Sequence, residues 1–399
     1  MRRLTEKLAL ILFGLLIAAI IAEIALRVAR YSYPTFYMPD AARGFALRPN
    51  MEGWYRKEGE AYIRINSDGL RDREHEKTKP PGTIRIALLG DSYAEAFPVP
   101  LEDSFWAVME NKLRECGAFE GKRIEVINFV VSGYSTAQEL ITLRERAWEY
   151  SPDIVMLAVT TNNDISDNSR ALKKTDEAPY FVYRDGKLVL DDSFKATRAF
   201  RLRQSFPNRL GTWIRDHVRL IQAINQAHHG FKIWLAARRA DSRPASSAPA
   251  NNAGVADELG VDNLIYREPN DQVWNDAWHV TEGLITEMHD EVKAKGAKFL
   301  VLTLSNGVQV YPDPIVQQTL MKRLGVSDLF YPDNRIRSLC ERQAIPIITL
   351  APKLQAYAQQ NKIILHGFGA DLGNGHWNTS GNRAAGELIA KELCMGILK

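Results

Sequence analysis

Thr83 to Glu95 reads TIRIALLGDSYAE. Ile84, Ile86, Leu88 and Leu89 form a short apolar run that predicts a buried strand, and the chain breaks at Gly90 into Asp91 and Ser92 before a helix-like continuation. A serine is thereby set at the end of a core strand, where an α/β sheet opens a crevice that side chains on the following turn can reach. The same rhythm continues downstream. Phe105 to Leu113 reads as a helix, Ile124 to Phe129 as a strand, Ser135 to Tyr150 as a helix opened by a Ser135-to-Gln138 capping box, and Asp153 to Val159 as the next strand. After an interruption it resumes with a helix from about Asp276 to Lys295, a strand at Lys298 to Leu304, a helix near Pro332 to Gln343, a strand at Ile345 to Leu350 and a last helix from Ser380 to Leu393. Strands alternating with helices in this way predict an α/β fold, a three-layer α/β/α sandwich around a mainly parallel sheet.

The interruption, residues 171–280, reads as a helical and hairpin insertion. Residues 179–191, PYFVYRDGKLVLD, predict a β-hairpin about Asp185-Gly186, and basic amphipathic helices follow from about Ala196 to Ala240. Residues 241–262 are rich in Ala, Ser, Pro and Asn and predict a flexible loop. A lid, a partner- or membrane-facing surface, and simple elaboration are the open readings of the insertion. Trp274, Trp278 and His279 near its end are expected to pack, with sugar stacking as the alternative.

Upstream of the first strand, residues 31–80 are rich in Pro, Gly and Tyr and read as a β-rich lead-in, with alternation at Ala61 to Ile65 and a turn at Asn66-Ser67-Asp68-Gly69. A scaffold hairpin is the default expectation, a wall of the cleft the other. Within residues 1–30, Arg2, Arg3 and Lys7 precede the charge-free run Leu8 to Ala22, and the apolar pattern continues past Glu23 to about Val28. A membrane-spanning signal-anchor is expected, with a cleaved signal peptide as the competing reading. Basic residues ahead of the run place the N-terminus inside and the bulk of the chain outside, in the periplasm or an equivalent extracytoplasmic space.

Composition narrows the function. The 399 residues are 45% hydrophobic and 25% charged, and Lys+Arg 51 against Asp+Glu 48 leaves a net charge of +3. A chain so nearly balanced has no basic stripe with which to neutralise a phosphate backbone, so no nucleic-acid partner is expected. Cys116, Cys340 and Cys394 lie far apart without metal-ligand spacing; they read as structural or incidental, or as one optional disulfide.

Four polar positions fall in four loops that a doubly wound sheet brings to one edge. Ser92 supplies a hydroxyl, Gly133 a backbone N–H, Asn163 a side-chain amide, and His376 a base arriving from the far end of the chain. Nucleophilic acyl transfer needs these components: a nucleophile, a proton acceptor and donors for the developing oxyanion.

On these residues the chain resembles the SGNH/GDSL hydrolase superfamily, whose Ser, Gly, Asn and His blocks match Gly90-Asp91-Ser92, Gly133, Asn163-Asp164 and His376 in that order. It is also similar to exported proteins that add or remove acetyl groups on polysaccharides, through the N-terminal helix, Asn66-Ser-Asp-Gly-Leu-Arg71, Ser132 to Glu139 and Asn163 to Asn168. The resemblance covers about residues 60–170 and 285–395. It implies a flavodoxin-like hydrolase domain in two halves, 81–170 and 281–399, with Ser92 as nucleophile, His376 as base and an oxyanion hole from Ser92, Gly133 and Asn163, without metal or cofactor. The implied substrate is a small acyl ester, O-acetyl on a cell-envelope glycan in particular. An acyltransferase using the same Ser and His, and a binding or scaffold protein with a decayed site, are the alternatives. Two positions depart from the pattern. Thr161 stands where the family has Gly, and Asn374 and Gly373 stand where the family places its Asp. The imidazole partner is therefore open between Asp371, if the glycine-rich loop curls, Asn374 as an amide orienter, and a carboxylate from elsewhere.

Overall fold

A computed structural model describes residues 2–117, 119, 121–241 and 262–398. The chain opens with helix α1 (Arg2–Val28), whose segment Thr5–Val28 is long and apolar enough to cross a membrane. Two antiparallel hairpins follow, β1 (Tyr37–Asp40) with β2 (Gly44–Leu47) and β3 (Glu52–Tyr55) with β4 (Ala61–Arg64). Leu47, Ala61, Ile63 and Ile65 from these hairpins share a small core with Phe97, Val131 and Tyr134.

Next come β5 (Thr83–Gly90), α2 (Ser92–Glu95), α3 (Phe105–Glu115), β6 (Arg123–Asn128), α4 (Thr136–Glu145) and β7 (Ile154–Thr160). The short helices α5 (Asp164–Asp167) and α6 (Arg170–Lys173) lead into the hairpin β8 (Tyr180–Arg184) and β9 (Lys187–Asp191), then into α7 (Arg198–Gln204), α8 (Phe206–His217) and α9 (Arg219–Asp241). The remainder comprises α10 (Gln272–Ala294), β10 (Lys298–Leu304), α11 (Pro314–Leu324), α12 (Tyr331–Arg342), β11 (Ile347–Thr349), α13 (Leu350–Asn361) and α14 (Thr379–Cys394).

The main sheet has five parallel strands in the order β11-β10-β7-β5-β6. The first strand of the domain is thus interior: β6 adds on one side, and β7, β10 and β11 add on the other. Connections leaving β5 and β6 run in opposite directions across the sheet, so a crevice opens beyond the carboxyl ends of the central strands. Side chains alternate with the period of two that an extended backbone imposes. Ala87, Leu89, Leu157 and Val301 face a core shared with Leu140, Trp278, Leu284 and Ile336, while Leu88, Met156, Leu300 and Leu302 face one shared with Phe105, Met109, Leu354 and Ile389. Both faces are covered by helices, as the unbroken apolar strands require.

Several local expectations are refined. The helix read from Ser135 to Tyr150 keeps its capping box but stops at Glu145, and Ala147–Tyr150 continues as a tighter 3-10 turn closed by Ser151 at φ +50. Helices α11 and α13 were not foreseen. Pro314 and Pro352 each fall in a first turn, where a missing N–H forfeits no intrahelical bond, so a residue that reads as a breaker here begins a helix. Trp274 and Trp278 are buried in the core, and His279 stacks on Tyr183 at 4.1 Å, tying the insertion hairpin to α10. Residues 242–261, the bulk of the expected flexible loop, lie outside the described residues. Cys116 and Cys394 are joined as a disulfide between the ends of α3 and α14, and Cys340 is a buried free thiol.

Leu157 is fully buried in β7, between two paired strands. Leu157→Ala is expected to lower unfolding stability by roughly 2–5 kcal/mol, the usual cost of a cavity in a close-packed core; urea titration of the detergent-solubilised chain measures it, with far-UV circular dichroism unchanged before the transition.

Candidate active site

Ser92 begins α2 directly after β5, and its position is set by the buried residue before it. Asp91 caps the short helix by accepting from the Tyr93 N–H at 3.2 Å, and the same oxygen accepts from the Thr160 hydroxyl at 2.6 Å. Its other oxygen accepts from the Asn163 side-chain N–H at 2.7 Å. One carboxylate therefore ties the loop after β5 to the loop after β7. Asn163 spends only one of its two amide hydrogens on this tie. Asp164 braces the same loop by accepting from the Thr160 N–H at 2.7 Å.

Gly133 follows β6 with φ +80, a left-handed backbone that a side chain would strain, and a Cβ there would meet nothing nearer than Phe45 at 3.6 Å. Its glycine is thus required by the backbone turn rather than by crowding. Its carbonyl accepts from Lys173 at 2.8 Å. Neither the Ser92 N–H nor the Gly133 N–H donates to any acceptor among the described residues. Glu95 braces the Gly133 loop from below: it accepts from the Ser132 N–H at 3.1 Å and from the Tyr37 hydroxyl at 2.8 Å. Burial pushes this carboxyl up to about 7, against the pull of those two donors and of the Arg71 charge.

His376 lies in the loop before α14. Tyr93, adjacent to Ser92, packs its ring 4.9 Å from the His376 ring and donates its hydroxyl to the Gly375 carbonyl at 3.0 Å, which brings the histidine loop to the serine turn. Behind it, His366 hydrogen-bonds the Gly375 carbonyl through Nδ1 at 2.7 Å and Ser305 through Nε2 at 3.0 Å, and Trp377 donates to the same Ser305 oxygen at 2.9 Å. Burial drives His366 down to about 3, so it stays neutral and serves as a strut. No hydrogen bond joins the Ser92 hydroxyl to His376 in this conformation.

The carboxylate on His376 is Glu58, from the turn between β3 and β4. Its Oε2 lies 2.7 Å from His376 Nδ1 and also accepts from the His376 N–H at 3.3 Å. Gly375, at φ +80, permits this approach, because a Cβ there would sit 3.0 Å from that oxygen. The expectation of Asp371 is corrected accordingly. Asp371 is exposed, its backbone closes a turn by accepting from the Asn374 N–H at 3.0 Å, and neither its carboxylate nor the Asn374 amide hydrogen-bonds His376. The loop does curl, but the place on the imidazole is taken by Glu58 of the lead-in. Burial by itself would depress His376, yet the hydrogen bond and charge of Glu58 prevail and hold it above its ordinary 6.5. Burial likewise works against Glu58, and the bond to His376 holds it below its ordinary 4.5. Both shifts describe one carboxylate–imidazole pair that favours imidazolium, with Nδ1 donating to Glu58 and Nε2 left as the proton-accepting nitrogen.

Sequence reasoning missed Glu58 because its turn, Lys57-Glu58-Gly59-Glu60, reads as any solvated hairpin tip. The signal that could have found it was the empty acid position before His376. Among the described residues no group of His, Cys, Asp and Glu is arranged to hold a metal ion.

No family model matches the chain, and no curated protein matches it. Among solved structures it is similar to an acetyl xylan esterase, at 15% identity and TM-score 0.39, covering 79% of this chain and 100% of that one. It is similar too to a putative lipolytic protein of the G-D-S-L family from Desulfitobacterium hafniense, at 11% identity and TM-score 0.36, covering 77% and 98%. A third likeness is to a catalytic mutant of an acetylxylan esterase from Geobacillus stearothermophilus, at 10% identity and TM-score 0.38, covering 78% and 94%. Likenesses this distant carry no functional argument. The strand order of the sheet gives this chain a parallel α/β fold with helices on both faces, and the loops carrying Ser92, Gly133 and Asn163 follow its strands β5, β6 and β7.

Proposed function

We propose that the protein is a membrane-anchored, extracytoplasmic carboxylic ester hydrolase acting through Ser92, His376 and Glu58. The observation that carries the reading is the 2.7 Å contact of Glu58 with His376 Nδ1, at the sheet edge where the Ser92 and Gly133 N–H groups are unpaired. Ser92 Oγ attacks the ester carbonyl carbon as His376 Nε2 takes the hydroxyl proton, and Glu58 stabilises the imidazolium. The carbonyl oxygen becomes an oxyanion held by the Ser92 and Gly133 N–H groups and by the second amide hydrogen of Asn163. Collapse breaks the ester C–O bond, and the departing alcohol takes the proton from His376. Water, deprotonated by the same nitrogen, then attacks the acyl-serine, and the released acid leaves Ser92 protonated again. Catalytic hydrogen bonds commonly tighten only in the substrate complex, which is consistent with an unbonded serine at rest.

The substrate class is a small acyl ester, and the resemblance to exported polysaccharide-modifying proteins directs the choice to O-acetyl groups on a glycan. The anchor is α1, with the domain on the far side of the bilayer from its basic start. The Cys116–Cys394 disulfide supports that compartment, since structural disulfides persist in oxidising surroundings.

A fluorophosphonate is expected to label the wild-type chain at Ser92 and to leave Ser92→Ala unlabelled; a folded wild type that is not labelled would leave a scaffold protein with a decayed site. Incubation with an acetylated oligosaccharide and a free glycan acceptor then separates acetate release, expected here, from transfer to the acceptor.

Glu58→Gln tests the acid assignment. The His376 stabilisation is present in acid and lost as pH rises through its raised pKa; the Glu58 stabilisation is present above its ordinary 4.5 and lost as pH falls through its depressed one. Removing the charge should therefore lower the His376 titration midpoint, read by NMR of labelled histidine, and reduce kcat by roughly 10²–10⁴-fold. Asp371→Asn should leave the midpoint in place and the rate within about twofold.

A further inference from the structure

Helix α8 carries a narrow apolar stripe left exposed among the described residues. Phe206, Leu210 and Trp213 are 74%, 43% and 55% exposed, and at 100° per residue they fall, with His217, within an arc of about 60°. Trp213 and His217 stack at 4.5 Å, which extends the stripe to the end of the helix. Arg209 lies on the same helix about 60° from Phe206, and Arg198 and Arg201 lie on the preceding α7; all three are exposed and make no ion pair among the described residues, while Arg215 is on the opposite face. An aromatic and aliphatic stripe flanked by unpaired guanidinium groups suits the boundary between acyl chains and anionic headgroups.

The position of this helix supplies the occupant. The corner between α8 and α9 is bound to the end of α1: Arg27 donates to the His217 carbonyl at 2.6 Å, and Glu23 accepts from the Arg219 and Leu220 N–H groups at 3.1 and 2.8 Å. The chain leaving α1 is fastened to the same corner. The Thr35 N–H donates to Asp216 at 3.0 Å, Arg48 pairs with Asp216, and the Tyr33 N–H donates to Gln222 at 2.8 Å. Leu8 to Ala22 carries no charge, so Glu23 and Arg27 mark where the hydrocarbon must end. With about 1.5 Å of rise per residue and about 30 Å of hydrocarbon, the corner sits at the bilayer surface.

We infer that α8 is an in-plane membrane helix: Phe206, Leu210 and Trp213 enter the interfacial layer of an anionic bilayer while the neighbouring arginines meet its headgroups. The inference rests on α1 spanning the bilayer. It makes the insertion a second membrane contact that fixes how the domain is tilted over the surface. A protein partner on the same stripe is the rival occupant, and nothing in the charge pattern calls for it.

The test uses the full chain in nanodiscs of zwitterionic and anionic lipid, with single spin labels placed by Phe206→Cys, Leu210→Cys, Trp213→Cys, Asn208→Cys, Arg215→Cys and Leu16→Cys. The native free thiol is buried, so labelling is site-directed. Labels at 206, 210 and 213 are expected to be relaxed by oxygen far more than by a water-soluble nickel chelate, at a depth of about 5–10 Å, with 208 and 215 showing the reverse, and with the contrast strengthened by anionic lipid. Aqueous signals at 206, 210 and 213 beside a lipid-embedded label at 16 would overturn the inference and leave the anchor standing. Labels at those three sites shielded from both reagents would overturn it in favour of a protein partner. An aqueous label at 16 would remove the anchor and the inference together.

Discussion

A single carboxylate–imidazole contact joins segments 318 residues apart and determines whether the sheet edge is a site or merely a set of loops. The strands can align the Ser, Gly and Asn loops by themselves, because a parallel sheet puts every carboxyl end on one side. They cannot orient an imidazole. That task falls to a hairpin tip outside the sheet, which must be docked before His376 has a defined tautomer. The lead-in is docked through its own small core and through the Trp54 N–H, which donates to the Ser32 carbonyl at 3.2 Å just beyond α1. Trp54 and Glu58 are four residues apart, at most about 14 Å of extended chain, so the His376 contact and the end of the apolar helix are mechanically close.

Beneath the serine lies an arrangement that costs stability. Asp91 is fully paired, but Glu139 is buried with both carboxyl oxygens unpartnered among the described residues, and Asp164 has one such oxygen. Burial pushes both acids well up, and in Glu139 the Asp91 charge adds to it while in Asp164 the Glu139 charge does. Holding protons there lowers the desolvation cost that two buried carboxylates would impose. Asp91 is the member of the group whose oxygens are all partnered, holding Thr160 and Asn163 in register with Ser92.

What was legible in the sequence follows from what each signal depends on. The strands were legible because a buried parallel strand must be apolar on both faces, as in Leu88 and Leu89 or Met156 and Leu157. The Ser92, Gly133, Asn163 and His376 positions were legible as an ordered set of loops following those strands. Glu58 was not, because a carboxylate in a polar turn acquires its role only from the three-dimensional docking of β3 and β4. Asp371 misled for the complementary reason: nearness in sequence to His376 does not survive the turn that Gly373 and Gly375 build between them. Helices α11 and α13 were hidden by prolines whose effect depends on which turn they occupy.

The disulfide joins Cys116 and Cys394 across a sequence separation of 278, with the whole insertion between them. Closing so long a loop removes on the order of 5 kcal/mol of chain entropy from the unfolded state. It has a topological effect as well. A protease that severs the polypeptide between Cys116 and His376 produces two pieces, one bearing Ser92 and one bearing His376, that stay covalently linked. The protein can thus be nicked there without being divided.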